Sequence, residues 1–293
     1  MNAPYNKAPN SSALCQAWYD KYFSTKPEDC VRENYTPTAR SFETDIYIIS
    51  FNNPVLIAYQ LQCLKRFFQS PNHITVVDNN NWLHQEASER TRQFCLDAAV
   101  TYLKAPDNHY QEDAHWDPTM KLGTTMSFIW HNIAKPRGAR YVGFLDHDCF
   151  LFKKTTISDL MFRNKQEWPM YGTVSQNNEK WNLHVISNFF NVGAIGNLPL
   201  DFRASYKHGL DTGGANRDIL YANRNIEDYR LSHIGVRYTS EDICRKDAVQ
   251  HYEIVDSRWM HMCAVSHDQR IGDGARKWDY TKGFLDGVLR VSE

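Results

Sequence analysis

The stretch Arg140-Tyr-Val-Gly-Phe-Leu-Asp-His-Asp-Cys-Phe-Leu-Phe152 decides the fold of this 293-residue chain. Its apolar run from Tyr141 to Leu145 has the length and composition of a buried strand. Two carboxylates follow, Asp146 and Asp148, and the two-residue period of a strand places them on the same side. Two such carboxylates at the edge of an apolar core repel each other unless a cation joins them. The stretch therefore predicts a divalent-metal site at the carboxyl end of a central strand.

Strands and helices alternate in the chain before this stretch. Apolar runs predict strands over residues 46–50, 74–78 and 100–103. Between the strands, apolar residues at helical spacing predict a first helix with Ile57, Leu61, Leu64 and Phe68, a second over residues 82–99, and a third with Leu122, Met126, Ile129 and Ile133. This alternation predicts an α/β fold with a parallel sheet and right-handed crossovers.

Polar residues collect at the predicted carboxyl ends of these strands, where ligands bind in such sheets. The first strand ends in Ser50-Phe-Asn-Asn53, the second ends in Asp78 and Asn79, and the fourth ends in the aspartate pair. Helix capping is the alternative interpretation for the asparagines before Pro54 and for Asp78. Three strand ends with ligand-type residues indicate one shared site more strongly than any single motif does.

Composition narrows the class of protein. The chain has 33 basic and 34 acidic residues, and this balance argues against a nucleic-acid partner. Its seven cysteines form no CxxC pair, which favours reduced thiols packed in a cytosolic protein. The N-terminus lacks the apolar core of a signal peptide, and no apolar stretch approaches the ~20 residues of a membrane helix. These features predict a cytoplasmic protein and leave open its peripheral attachment to a membrane surface.

Three segments together resemble the GT-A glycosyltransferases, in particular the inverting family-two-like members. They are Ile48-Ile-Ser-Phe-Asn-Asn-Pro54, Val76-Val-Asp-Asn-Asn80 and Tyr141-Val-Gly-Phe-Leu-Asp-His-Asp148. The resemblance covers residues 45–152 well and the remainder loosely. It implies a Rossmann-like fold with a mixed, mostly parallel central sheet flanked by helices. A single domain over 45–293 would hold a nucleotide-sugar half (45–152) and an acceptor half (153–293), with residues 1–44 as an extension packed on it.

The resemblance also implies an activity, which is transfer of a sugar from a nucleoside-diphosphate sugar to a hydroxyl of a glycan, lipid-linked or protein-linked acceptor. Such chemistry serves polysaccharide biosynthesis and inverts the anomeric centre. Mn²⁺ or Mg²⁺ would bridge the carboxylates Asp146 and Asp148 to the diphosphate. The residues expected to bind the nucleotide sugar are Ser50, Phe51, Asn52, Asn53, Asp78, Asn79, Asp146 and His147.

The pattern after residue 153 predicts strands through residues 188–197 and 259–263 and a helix after Asp211. These later segments would supply the remaining groups. By resemblance, His261 is a third metal ligand, with His267 as its alternative and ordinary packing as the structural interpretation. An acidic residue after a Gly-containing strand would take the acceptor proton. Asp211 occupies that position, although Leu210 stands where the family carries a Glu before the Asp. Glu241 and Asp242 are the competing candidates for the base, and capping of the next helix is the structural alternative for Asp211.

Other functions fit less of the pattern. A phosphatase that forms an aspartyl phosphate also uses Asp-x-Asp after a strand, but near the N-terminus and with Thr or Val where Phe150 stands here. A nucleotidyltransferase would show a Gly-rich basic loop after the first strand, and Ser50 to Pro54 contains neither Gly nor Lys. A catalytically silent module that binds sugar nucleotides or glycans is the non-enzymatic alternative.

Overall fold

A computed structural model of the protein describes residues 24–34, 43–80, 84–106, 118–177, 180–222, 230–231, 234–238, 252–262 and 274–290. Within these ranges the strands form three sheets, of eight, four and two strands, and helices flank the largest. The predicted α/β class is confirmed. None of the helices in these ranges combines the length and the apolar character needed to cross a bilayer.

The elements are numbered in chain order over the described residues. The strands are β1 (Arg32–Glu33), β2 (Thr44–Ser50), β3 (Asn72–Asp78), β4 (Thr101–Lys104), β5 (Tyr141–Asp146), β6 (Cys149–Leu151), β7 (Phe162–Arg163), β8 (Gln166–Glu167), β9 (Met170–Asn177), β10 (Lys180–Asn191), β11 (Arg230–Leu231), β12 (Ile234–Tyr238), β13 (Tyr252–Val255) and β14 (Trp259–His261). The helices are α1 (Pro54–Phe67), α2 (Gln85–Asp97), α3 (Pro118–Ile129), α4 (Ile157–Met161), α5 (Val192–Ile195) and α6 (Gly274–Arg290).

The largest sheet has the strand order β1-β4-β3-β2-β5-β10-β9-β11. Its centre is parallel, because β4, β3, β2 and β5 run in the same direction. These are the four strands predicted from the apolar runs. Strand β10 is antiparallel to both β5 and β9, which makes the sheet mixed. Strands from both predicted halves of the chain therefore belong to one sheet.

Strand β2 shows how the sheet is buried on both faces. All seven of its residues are buried. Ile46 and Ile48 join the core cluster that contains the apolar side chains of α1, whereas Tyr47 and Ile49 join the cluster that contains those of α3. The two-residue period of the strand produces this division. A strand covered on both sides reads as a continuous apolar run, as the sequence does here.

Gly143 leaves room for the ring of Phe189, which comes from the neighbouring strand β10. Its register partner across the sheet is Phe189. A Cβ atom at Gly143 would lie 2.6 Å from the Phe189 ring, which is closer than carbon atoms can approach. The glycine inside the deciding stretch is therefore required by packing rather than by a turn.

The four-stranded sheet, with the order β12-β13-β14-β6, brings the C-terminal region to the aspartate pair. Strand β6 begins directly after Asp148 and pairs with β14, so that Cys149 lies opposite His261. The late strand predicted around residues 259–263 is thus present as β14. It lies next to the turn that carries the two aspartates.

The second half departs from its predicted elements. The sequence predicts a strand through residues 188–197, but β10 ends at Asn191 and the short helix α5 follows. The Asn191 side chain accepts a hydrogen bond of 3.1 Å from the Ala194 N–H and so caps this helix. After Asp211, the predicted helix is replaced by a 3₁₀ turn (Gly214–Asn216) and a π-helical turn (Arg217–Tyr221).

Candidate active site

Asp146 is the last residue of β5 and Asp148 lies on the turn before β6, and their side chains differ in exposure. The Asp146 side chain is 22% exposed, whereas that of Asp148 is 5% exposed. Asp148 Oδ1 accepts no hydrogen bond of normal length and angle from the described residues. A buried carboxylate oxygen in that condition is costly unless a cation or a polar ligand reaches it.

His261 lies beside Asp148. Its Nε2 lies 3.5 Å from Asp148 Oδ1, and the adjacent Met262 N–H donates to the Asp148 carbonyl at 3.0 Å. Burial favours the neutral acid, but attraction to His261 and His147 outweighs it and holds the pKa of Asp148 below its usual range. Asp148 is therefore a carboxylate at neutral pH. The expected proximity of His261 to the aspartate pair is observed.

His147, between the two aspartates, is buried and connects two strand ends. Its Nδ1 lies 3.0 Å from Asp146 Oδ1, and its Nε2 lies 3.3 Å from the Asn53 side-chain nitrogen. Burial lowers the pKa of His147, but the hydrogen bond and charge of Asp146 reverse this and raise it above its usual value. Asn53 stands at the N-cap of α1 without capping it through its side chain, and that side chain contacts His147 instead.

The loop after β2 is joined to the loop after β3 by main-chain contacts. The Asn79 N–H donates to the Ser50 carbonyl at 2.9 Å, and the Asn52 N–H donates to Asn80 Oδ1 at 2.5 Å. Asn52 has a φ of +50°, a left-handed conformation that asparagine tolerates better than most residues. Thr125 on α3 donates to Asn79 Oδ1 at 3.0 Å. The two loops therefore form one edge beside the aspartate turn.

Asp78 accepts its hydrogen bonds from groups inside the protein. Its carboxylate is fully buried and accepts from the Tyr102 hydroxyl at 2.7 Å, the Lys104 ammonium at 3.0 Å and the Asn80 N–H at 2.9 Å. Burial, followed by the nearby Asp78 charge, raises the pKa of Tyr102. Asp78 does not cap a helix, since α2 begins at Gln85 with His84 as its N-cap. It fixes the loop after β3.

An aromatic side chain with cationic neighbours lies at the same edge. The Lys121 nitrogen lies 4.8 Å from the centroid of the half-buried Phe51 ring, and the His84 ring packs edge-on against it at 5.3 Å. Burial and the charges of Lys121 and Lys104 lower the pKa of His84. Lysines beside an aromatic ring suit a ligand that is both aromatic and anionic. The sequence prediction includes Phe51 but neither lysine nor His84.

Gln60 is a second polar residue missed by the sequence prediction. It lies on the apolar face of α1, is fully buried, and donates from Nε2 to the carbonyls of Asp146 (2.8 Å) and Cys149 (2.7 Å). The signal in the sequence is a glutamine between Ile57 and Leu61 in an otherwise apolar stripe. A glutamine there must find partners in the core.

Asp211 lies on a different loop, which is held against β10. Its Oδ1 accepts from the Thr212 N–H at 2.6 Å, and its carbonyl accepts from the Gly214 N–H at 2.7 Å. Asn182 of β10 donates to the Thr212 carbonyl at 2.9 Å and fixes this loop to the sheet. The Asp211 side chain is half-buried. The competing bases Glu241 and Asp242, and the alternative ligand His267, lie outside the described residues.

The donor set fits a divalent cation only in part. Across the described ranges, no three or more His, Cys, Asp or Glu side chains gather closely enough to enclose a metal ion. Asp148 and His261 approach each other, and Asp146 projects from the same turn. Mg²⁺ and related ions commonly bind one or two carboxylates and complete their coordination with water and substrate phosphates. The orphaned Asp148 oxygen and the incomplete protein shell fit that kind of site.

No protein-family model and no curated protein matches this chain. Among solved structures it is similar to the mannosyltransferase PcManGT from Pyrobaculum calidifontis in complex with GDP-Man and Mn²⁺, with 15% identity, a TM-score of 0.39, and coverage of 75% of this chain and 61% of that chain. It is also similar to the glycosyltransferase GlyE of Streptococcus pneumoniae TIGR4 (13% identity, TM-score 0.34, 65% and 42% covered) and to the mannosyltransferase Ktr4p of S. cerevisiae (14%, 0.31, 59% and 51%). The chain thus spans less than two thirds of each of these proteins. All three are glycosyltransferases, but such low identities and TM-scores carry no argument about the activity of this chain.

Proposed function

We propose that this protein is a metal-dependent glycosyltransferase that moves a sugar from a nucleoside-diphosphate donor to an acceptor hydroxyl. The observation that carries the proposal is the buried Asp148, with one oxygen lacking a hydrogen bond from the described residues, at the edge where the parallel strands end. Asp146, the last residue of β5, lies two positions before it. A carboxylate site that is only partly enclosed suits a cation delivered with a diphosphate.

The donor side comprises the two joined loops after β2 and β3. Phe51 offers an aromatic ring for the base, and Lys121, whose nitrogen lies 4.8 Å from the centroid of that ring, brings positive charge to the same edge. Ser50, Asn52, Asn53 and Asn79 shape this edge through their main-chain and amide contacts. Asp78 supports the donor loops from inside, through Lys104 and the Asn80 N–H.

The metal would be held by Asp146, Asp148 and His261, and when bound it would supply positive charge to the departing diphosphate. The chain's own residues orient the reactants. His147 connects the aspartate turn to Asn53, so the metal side and the donor side move as one unit. Keeping the carboxylates ionised is the second contribution, and the depressed pKa of Asp148 serves it at neutral pH.

Asp211 is the base in this proposal, and the product is inverted. As the acceptor oxygen bonds to the anomeric carbon, the bond from that carbon to the diphosphate oxygen breaks and the hydroxyl proton passes to the Asp211 carboxylate. Glu241 and Asp242 are the alternatives. Asp211→Asn should lower kcat by about 100-fold or more with little change in the donor KM. If Asp242→Asn or Glu241→Gln has that effect instead, the base is reassigned.

The acceptor is a glycan or glycolipid hydroxyl, and the compartment is the cytoplasm or a cytoplasmic membrane surface. Three thiols, Cys30, Cys63 and Cys95, are free and buried, which agrees with a reducing compartment. Burial raises their pKa values to about 11, 12 and 12, so they are unreactive. They serve packing and take no part in transfer.

The test begins with a panel of nucleoside-diphosphate sugars, with Mn²⁺ and with chelator. The measured quantity is release of the nucleoside diphosphate. Asp146→Ala should lower Mn²⁺-dependent release by about 100-fold or more, because the metal loses a charged ligand. Asp97→Ala, which removes an exposed carboxylate on α2, should leave the rate unchanged. Full metal-dependent activity in Asp146→Ala overturns the proposal, and tight nucleotide binding without turnover of any donor favours the silent module.

A further inference from the structure

Gln60 is a polar residue in an apolar environment that points directly at the aspartate turn. It lies on α1 between the buried side chains of Leu56, Ile57 and Leu61, and it has no exposed surface. Burying an amide costs stability unless its hydrogen-bonding groups are paired. A leucine or methionine would serve packing better at this position. The glutamine is therefore retained for what it binds.

Its amide nitrogen donates two hydrogen bonds that bracket the turn. One goes to the carbonyl of Asp146 at 2.8 Å and the other to the carbonyl of Cys149 at 2.7 Å, on either side of His147 and Asp148. The orientation of the amide is fixed, because the opposite orientation would set its oxygen against two carbonyl oxygens. Oε1 is left buried without a hydrogen bond from the described residues. The amide nitrogen of Gln60 is thus hydrogen-bonded twice, whereas its amide oxygen receives no hydrogen bond from the described residues.

We propose that Gln60 is a positioning residue that sets the separation of Asp146 and Asp148 for the metal and the diphosphate. This inference rests on the proposed function. Helix α1 is anchored by its apolar face in the core, so a clamp from this helix ties both ends of the turn to a rigid element. Groups that orient metal ligands in this way typically contribute 10- to 100-fold to metal affinity. Gln60 contacts neither the metal nor the substrate.

The experiment compares Gln60→Met with Leu64→Ala in the full chain. Methionine keeps the length and volume of glutamine but donates no hydrogen bond. Leu64 is buried one turn further along the same helix, so its truncation disturbs the core without removing a side-chain hydrogen bond to the turn. Mn²⁺ alone is the probe, and calorimetry and the electron paramagnetic resonance spectrum of the bound ion are the readouts. Amide hydrogen exchange over residues 147–149 reports on the turn itself.

Gln60→Met is expected to bind Mn²⁺ about 10- to 100-fold more weakly, with an altered spectrum and faster exchange in the turn. Leu64→Ala is expected to lose stability and to keep the wild-type Mn²⁺ affinity within about threefold, because its contacts lie in the core. If a folded Gln60→Met protein keeps the wild-type Mn²⁺ affinity and the wild-type amide hydrogen exchange, the positioning role is overturned and the proposed function is not. Equal weakening in both variants at equal stability also overturns it. A wild-type protein that binds no Mn²⁺, with or without a nucleoside diphosphate, overturns this inference together with the proposed function.

Discussion

Asp78 and Asp148 are both buried carboxylates near the carboxyl edge of the central sheet, yet the protein treats them differently. Asp78 accepts hydrogen bonds from Tyr102, Lys104 and the Asn80 N–H, and none of its surface is exposed. Asp148 has a histidine nitrogen at 3.5 Å and one oxygen without a normal hydrogen bond from the described residues. The described residues pair the first charge fully and the second only in part.

The difference separates a structural carboxylate from a candidate functional one. A buried charge that is fully paired contributes to the folded state mainly by fixing its neighbours, and removing one partner is costly. A buried charge with incomplete pairing lowers stability and is retained where a ligand or reaction needs it. Burial and sequence position do not distinguish the two residues. Their hydrogen-bond partners do.

The largest expected effect is that of Asp148→Asn on transfer. The substitution keeps the shape of the side chain and removes the charge that the cation needs, so Mn²⁺-dependent donor turnover should fall by about a thousandfold. The free energy of unfolding without metal should fall by about 1 kcal/mol, less than in Asp78→Asn, because the protein loses the attraction of His261 and His147 to this charge but Oδ1 loses no hydrogen bond of normal length. Steady-state kinetics and urea unfolding measure the two quantities. A large loss of stability with little loss of turnover would contradict the comparison.

Asp78→Asn should show the opposite balance. The substitution leaves the Lys104 ammonium, 21% exposed, without its carboxylate, and the free energy of unfolding should fall by about 2 kcal/mol. Donor turnover in the fraction that remains folded should fall far less than in Asp148→Asn. Urea unfolding at pH 7 with matched activity assays tests this. An Asp78→Asn protein of wild-type stability would show that the carboxylate is kept for a ligand.

The sequence is sufficient to predict the strands and the position of the aspartate pair. Four apolar runs give the four parallel strands, because a strand buried on both faces has a distinctive continuous pattern. Asp146 and Asp148 follow the fourth apolar run directly, and this position puts them at the carboxyl end of β5. His261 is found near Asp148 as expected. Local periodicity and the order of the elements are enough for the strands and the aspartates, whereas the expectation for His261 comes from the family resemblance.

The sequence does not reveal which polar groups pair across the core. Gln60 and Cys149 are 89 residues apart, and Asp78 and Lys104 are 26 apart. Such pairs depend on how α1 and β4 pack against the sheet, and no local pattern encodes that arrangement. The second half of the chain is also poorly predicted, since the Asn191 side chain caps α5 at the point where the apolar run continues. A single capping hydrogen bond overrides the apparent strand pattern there.

A double-mutant cycle on Asp78 and Lys104 sharpens the structural side of the comparison. Lys104 also donates to the Asn80 carbonyl (2.8 Å) and to Ser88 Oγ (3.0 Å), so Lys104→Met loses more than the ion pair. The coupling energy in the cycle should be about 1 kcal/mol, because the lysine keeps some contact with water. Urea unfolding of the four proteins measures it. A coupling near zero would show that Tyr102 and the Asn80 N–H suffice to hold Asp78.

Asp45 is a third buried carboxylate, and it lies near the amino end of β2. It forms a buried ion pair with Arg137 at 2.8 Å, and His73 Nδ1 lies 3.7 Å from its other oxygen. His73 Nε2 also lies 3.0 Å from the Thr101 hydroxyl. Asp45 resembles Asp78 in being paired within the protein. His73 is the titratable group attached to this pair.

The smallest expected effect is a pH dependence of stability that comes from His73. Burial and the Arg137 charge lower the pKa of His73 below 6.5, against the opposing attraction of Asp45. As the pH falls through 6.5, His73 is protonated in the unfolded chain before it is protonated in the folded protein. His73 therefore lowers the free energy of unfolding as the pH falls from 6.5 toward its folded-state pKa, and it has no such effect above pH 6.5. His73→Gln keeps a polar group near Thr101 and removes the titration. The loss of unfolding free energy between pH 7 and 5 should shrink by about 0.5 kcal/mol, since the imidazole keeps some contact with solvent. An unchanged or steeper pH dependence in His73→Gln would show that the Asp45 pair is insensitive to its histidine.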